Sequence, residues 1–205
     1  MSLFLGIALP ESIQMNLVRL CPEGMRDIRL TKPEMMHITL HFLGETKAKP
    51  VLELIQQNLV FSDGSTFYAS SIKNSTFNIS PFNISFDIHF DKFGCFGPKR
   101  KPTVLWLAPK KSEELLALHV FLAQILKRLD LVLDSRAYQP HITLARCRWR
   151  RQCSEHEQSV VQNFLQQELT CPPFRVEEFI LFESRLGTHG REYVKRKCFP
   201  LSSSK

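Results

Sequence analysis

No Cys-x-x-Cys pair occurs in this 205-residue chain, although six cysteines are present (Cys21, Cys95, Cys147, Cys153, Cys171 and Cys198). The Cys147 and Cys153 spacing fits neither a zinc ribbon nor a finger, so structural zinc is not expected and the thiols read as reduced. No apolar stretch approaches the ~18 residues of a membrane span. The opening MSLFLGIALPES has no basic residues before its apolar run and is cut by Pro10 and Glu11, so it reads as a strand and not as a secretory leader. A cytoplasmic protein without membrane association is therefore expected. On that view the N-x-S/T sequons at Asn74, Asn78 and Asn83 are chance matches. No Pro/Gly/Ser-rich linker divides the chain, and half of it is small for a core of its own, so residues 1–205 are expected to form one domain. Acidic residues are in deficit: 20 Asp and Glu against 27 Lys and Arg give a formal charge of +7. A basic balance favours polyanionic partners, RNA foremost, but says nothing of fold.

Period and punctuation place the elements. Strands are expected over residues 3–9, 36–43 (closed by Gly44), 82–90, 103–108, 140–145, 174–182 and 192–199, the last two joined by a turn at Gly187 to Gly190. Apolar residues at helical spacing predict helices over 11–20, over 47–60 behind a Thr46 cap, over 112–129 with Ser112 as N-cap, and over 154–169. A polar stretch, residues 62–80, follows the second helix and precedes the 82–90 strand. Each half runs strand, helix, short strand, helix, strand, which points to an internal duplication.

The short strands carry the same tetrapeptide, His-Ile-Thr-Leu, at 37–40 and 141–144, 104 positions apart. Composition alone predicts about 0.3 His-x-Thr matches in a chain of this make-up. Alternation along a strand turns His37 and Thr39 one way and Ile38 and Leu40 the other, and likewise His141 and Thr143 against Ile142 and Leu144. Each motif thus offers an imidazole and a hydroxyl about 7 Å apart. Two such strands side by side would line a cleft with two His and two Thr. Opening a cyclic phosphodiester needs a base for water and an acid for the departing oxygen, and two imidazoles can hold these opposite states near neutrality. The threonine hydroxyls can donate to non-bridging oxygens as charge builds there. The scheme needs neither metal nor cofactor.

With these motifs go the opening LFLGIALPES, the blocks HITLHFLGET, GCFGPKRKPTVLWL and PHITLAR, and the closing FILFESRLGTHGREYVKRKCFPL. Together they resemble the two-histidine (2H) phosphoesterases, and within them the 2′-5′ RNA ligase / RNA 2′,3′-cyclic phosphodiesterase family. The resemblance implies a bilobal α+β fold, two pseudo-symmetric lobes of antiparallel sheet with helices outside and a central cleft. It implies hydrolysis of RNA 2′,3′-cyclic phosphate ends to 2′-phosphomonoesters, with His37 as proton donor, His141 as proton acceptor, and Thr39 and Thr143 on the phosphate. RNA carrying such ends, tRNA fragments among them, is the implied partner of a monomer. The same residues could run an ATP-independent 2′-5′ ligase or a 2′-5′ nuclease. A non-catalytic RNA-end binder would need neither imidazole.

Other residues stay open. Arg146 follows the second motif at a parity opposite His141, so only twist or a bulge would turn it toward phosphate. Lys99, Arg100 and Lys101, and the arginines 146, 148, 150 and 151 around Trp149, are RNA-tracking surface or plain solvated charge. Phe96 and Trp149 are base-stacking candidates or core. His41, at the parity of His37, raises a zinc trio with His37 and His141, though no acidic or thiol ligand accompanies it. His89 reads as surface.

Overall fold

The computed structural model describes residues 2–22, 27–62, 66–68, 85–149, 154–188 and 190–201. Most of the polar 62–80 stretch, the three sequons, Arg150 and Arg151 lie outside these. In chain order the elements are β1 (Ser2–Ala8), α1 (Glu11–Leu20), β2 (Ile28–Leu30), a 3-10 turn (Pro33–Met35), β3 (His37–Gly44), α2 (Ala48–Asn58), β4 (Val60–Ser62), β5 (Thr66–Tyr68), β6 (Phe86–Ile88), β7 (Phe90–Phe96), β8 (Val104–Pro109), α3 (Glu113–Leu126), β9 (Ile142–Cys147), α4 (Glu155–Gln166), β10 (Phe174–Val176), β11 (Glu178–Gly187) and β12 (Gly190–Pro200).

Seven strands run β12-β11-β1-β3-β9-β8-β7 in one antiparallel sheet, and β2 adds an eighth beside β9. Odd positions of β1 (Leu3, Leu5, Ile7) join a large apolar cluster to which all four helices contribute, for example Ile13 and Leu17, Val51 and Ile55, Leu118 and Leu122, Val161 and Phe164. Period-2 strands meeting period-3.6 helices is what buries one sheet face under helices. The opposite face carries a smaller cluster, Phe4, Ile180 and Phe182, with Tyr193 against it.

The two HITL strands meet at the sheet centre through a single register pair, Ile38 with Ile142. These are the same position of the two motifs. An antiparallel pair between equivalent residues places a local two-fold axis between them.

Both motif strands carry a β-bulge at the same place. Against β1 the register slips between Leu5 and Gly6, and against β8 it slips between Leu105 and Trp106. An extra residue therefore follows each motif threonine, and side-chain parity reverses beyond it. Leu40 and His41 both face the apolar core, as do Leu144 and Ala145, and all four are buried. Phe42 and Arg146 then return to the face of the histidines. The parity that would have set His41 beside His37 fails for this reason.

Three expectations shift locally. Lys47, not Thr46, is the N-cap of α2, with no side-chain capping bond. The runs 82–90 and 174–182 each break, at His89 and Glu177, because β6 and β10 pair with each other while β7 and β11 join the large sheet. Their alternation persists across the break: Phe86, Ile88 and Phe90 are buried, and Asp87 and His89 are exposed. At the β11–β12 turn Gly190 has φ +109°, a backbone region that side chains with a Cβ disfavour.

Candidate active site

His37 and Thr39 from β3, Thr143 from β9 and His141 immediately before β9 line one cleft of about 630 Å³. Each imidazole is pinned in the same way, by the carbonyl two residues before it. His37 Nδ1 lies 2.7 Å from the Met35 oxygen, and His141 Nδ1 lies 2.8 Å from the Gln139 oxygen. A carbonyl only accepts, so Nδ1–H donates in both rings and Nε2 is left as the nitrogen able to exchange a proton. The rings are also held by aromatic edges. Tyr193 meets His37 at 5.1 Å and 89°, and Phe96 meets His141 at 4.9 Å and 89°.

The cleft is strongly cationic. Arg29, Lys32, Arg146, Arg148 and Arg191 line it, and among the described residues no carboxylate does. Arg146 reaches the cleft because of the bulge at Leu144/Ala145, which settles its direction although simple alternation opposed it. Arg29 pairs with Arg146 across β2 and β9, and Arg191 donates to the Ser184 hydroxyl at 2.7 Å. Sequence reading missed Arg29, Lys32, Arg191, Tyr193 and Phe42. The three-residue β2 has too little length for a period. Phe42, 62% exposed, lines the cleft at the position equivalent to Arg146, and only the bulge puts it there.

Phe96 belongs to the site; Trp149 does not line the cleft. Its indole donates to the Pro102 carbonyl at 2.7 Å and its ring packs on the core. Lys99, Arg100 and Lys101 are exposed and away from the cleft lining. His41 is turned to the core side of the sheet, where its Nε2–H donates to the His119 carbonyl at 2.8 Å. It therefore cannot converge with His37 and His141.

Burial holds His37 down to about 4, against the pull of the Met35 carbonyl, and the nearby positive charges of His141 and Arg146 push the same way. Burial likewise lowers His41 to about 4, offset by its carbonyl bond and reinforced by His119, and burial lowers His119 too. In the unfolded chain these imidazoles gain protons near pH 6.5, while the folded protein refuses them until lower pH. Stability is thus expected to hold above pH 6.5 and to fall as the pH drops from 6.5 to 4, by up to about 3 kcal/mol from His37 alone. Denaturant midpoints measured across this window check it. His41→Gln, which keeps a donor but cannot titrate, should show a shallower fall than the wild type; an identical slope would contradict the assignment.

Comparison with known proteins follows the same lines. A model of the 2′-5′ RNA ligase superfamily matches residues 27–188. The chain is 32% identical over 146 residues to the RNA 2′,3′-cyclic phosphodiesterase of Bacillus subtilis, covering 70% of this chain and 69% of that one. It is 28% identical over 148 residues to the protein of the same description from Archaeoglobus fulgidus, covering 71% and 72%. Among solved structures, a Thermus thermophilus protein superposes over the whole of both chains with a TM-score of 0.69 at 21% identity. E. coli LigT complexed with 3′-AMP gives 0.68 over 98% of both chains at 22% identity. The structures share the fold.

Proposed function

The chain belongs to the 2′-5′ RNA ligase superfamily, and from that premise we propose that it hydrolyses RNA 2′,3′-cyclic phosphate ends to 2′-phosphomonoesters by two-histidine acid–base catalysis. The observation that carries this reading is the matched pinning of His37 and His141 by their i−2 carbonyls in a cationic cleft without carboxylates among the described residues.

In the proposed reaction His141 Nε2 takes a proton from water as its oxygen bonds to phosphorus. The bond from phosphorus to O3′ breaks, and His37 delivers a proton to that oxygen. Thr39 and Thr143 donate to the non-bridging oxygens, and Arg146 offsets their charge. The relatives described as RNA 2′,3′-cyclic phosphodiesterases support the substrate class. The low affinity of His37 for a proton in the free protein fits this scheme once the substrate is counted. An anionic phosphate beside His37 favours its protonated form against the burial, reinforced by Arg146, that lowers its affinity for a proton, so in the proposed scheme His37 acquires its proton with the ligand.

Product analysis tests the proposal. An oligoribonucleotide ending in a 2′,3′-cyclic phosphate is expected to yield a 2′-phosphate, read by phosphorus NMR. A 3′-phosphate would mean the opposite leaving oxygen, and an unchanged end would remove the hydrolase reading.

A further inference from the structure

The segment 130–141 that delivers the second motif contains neither helix nor strand. The first motif is delivered differently: Met35, whose carbonyl holds His37, ends a 3-10 turn over Pro33–Met35. Gln139, which holds His141, has no such turn behind it. What stands there is a column of three rings. His41 stacks on His119 at 4.1 Å and 14°, and His119 stacks on Tyr138 at 3.8 Å and 5°.

The column is cross-braced to the first motif. His41 Nε2–H donates to the His119 carbonyl, and His119 Nδ1–H donates back to the Leu40 carbonyl at 3.0 Å. The Tyr138 hydroxyl donates to the Thr39 carbonyl at 3.1 Å. The next residue is Gln139. A continuous chain of contacts therefore runs from the backbone of Thr39 and Leu40, through α3, to the carbonyl that orients His141. It adds to the single Ile38–Ile142 backbone pair joining the motif strands. The duplication does not account for it, because the position equivalent to Tyr138 in the first half is Glu34, which is exposed.

We propose that Tyr138 is a positioning residue: stacked on His119 and bonded to Thr39, it fixes the Gln139 carbonyl so that His141 keeps its proton on Nδ1 and presents Nε2 opposite His37. The inference rests on the reading of His141 as proton acceptor. A residue that merely fills space would affect stability without altering the tautomer of an imidazole three positions away.

Tyr138→Leu removes both stack and hydroxyl, and Tyr138→Phe removes the hydroxyl alone. Two quantities are read, the nitrogen-15 shifts of the His141 ring in the free protein and kcat and KM on a 2′,3′-cyclic nucleotide. Tyr138→Leu is expected to turn a single Nδ1–H tautomer into a mixture and to lower kcat about tenfold, with KM within about twofold. Tyr138→Phe should lower kcat about threefold, between the two. Wild-type kcat together with an unmixed tautomer in Tyr138→Leu overturns the proposal. If that variant does not fold, Tyr138→Phe decides by the same two readouts. Should the wild type lack activity on cyclic phosphates, the proposed function fails on its own, and the tautomer still decides the role of Tyr138.

Discussion

Replacing His37 or His141 with alanine is expected to lower turnover of a 2′,3′-cyclic phosphate end by about 10²–10⁴-fold in each case. RNA affinity should change little, because the five cations of the cleft remain in place. The double variant should be scarcely worse than either single one, since an acid and a base acting in one step are lost together. Rates on a cyclic dinucleotide or trinucleotide end, with binding followed separately by fluorescence anisotropy, supply the check. Turnover within a few-fold of wild type in both single variants would sink acid–base catalysis by this pair.

The largest expected effect on the fold concerns a residue outside the motifs. Gly94 on β7 pairs with Trp106 on β8. A Cβ at Gly94 would fall 2.1 Å from Cη2 and 2.3 Å from Cζ2 of the indole, so the ring lies directly over the glycine. Trp106 is buried, and its indole nitrogen has no hydrogen-bond partner among the described residues; contact alone holds the ring. Gly94→Val forces that ring aside, and on the cleft side stand His141 at 6.4 Å and Phe96 at 5.5 Å. Overpacking of this kind costs about 1–3 kcal/mol. For a chain of this size that is roughly a 3–10 °C fall in Tm. Activity should fall with it, because the displaced ring lies against His141, the proposed proton acceptor. Adding Trp106→Leu to Gly94→Val should recover part of the lost Tm, and strict additivity of the two changes would exclude the steric account.

The sequence made some features plain and hid others for physical reasons. Helix 11–20 is found at those limits because its apolar residues keep helical spacing and Pro10 marks the start. The histidine and threonine of each motif are found on a common cleft because one turn of strand parity suffices to place them. Beyond the threonines parity fails, since no residue type announces a bulge; His41 and Arg146 therefore both changed sides. Comparing the halves further would have helped, as His-Ile-Thr-Leu-His-Phe and His-Ile-Thr-Leu-Ala-Arg bend alike. A legible signal was also passed over. Ser154 and Glu157 form a reciprocal capping box at the start of α4, and the Ser-x-x-Glu spacing states it outright. Arg29 and Arg191 were hidden because they reach the cleft only through pairing across the sheet, which local pattern cannot report.

The Ile38–Ile142 pair has a meaning beyond topology. Equivalent residues facing each other across a two-fold axis is the arrangement of an isologous dimer interface, here enclosed within one polypeptide. An in-line displacement at phosphorus has related apical oxygens, one arriving and one leaving, and its reverse exchanges them. A site with two-fold symmetry can serve either direction with the same two imidazoles. Direction must then come from where the halves differ: phenylalanine against arginine at 42 and 146, glycine against tryptophan beside the two threonines, glutamate against tyrosine at 34 and 138. In the proposed reaction the repeated motif supplies both imidazoles, and the divergence between its copies tells nucleoside from water.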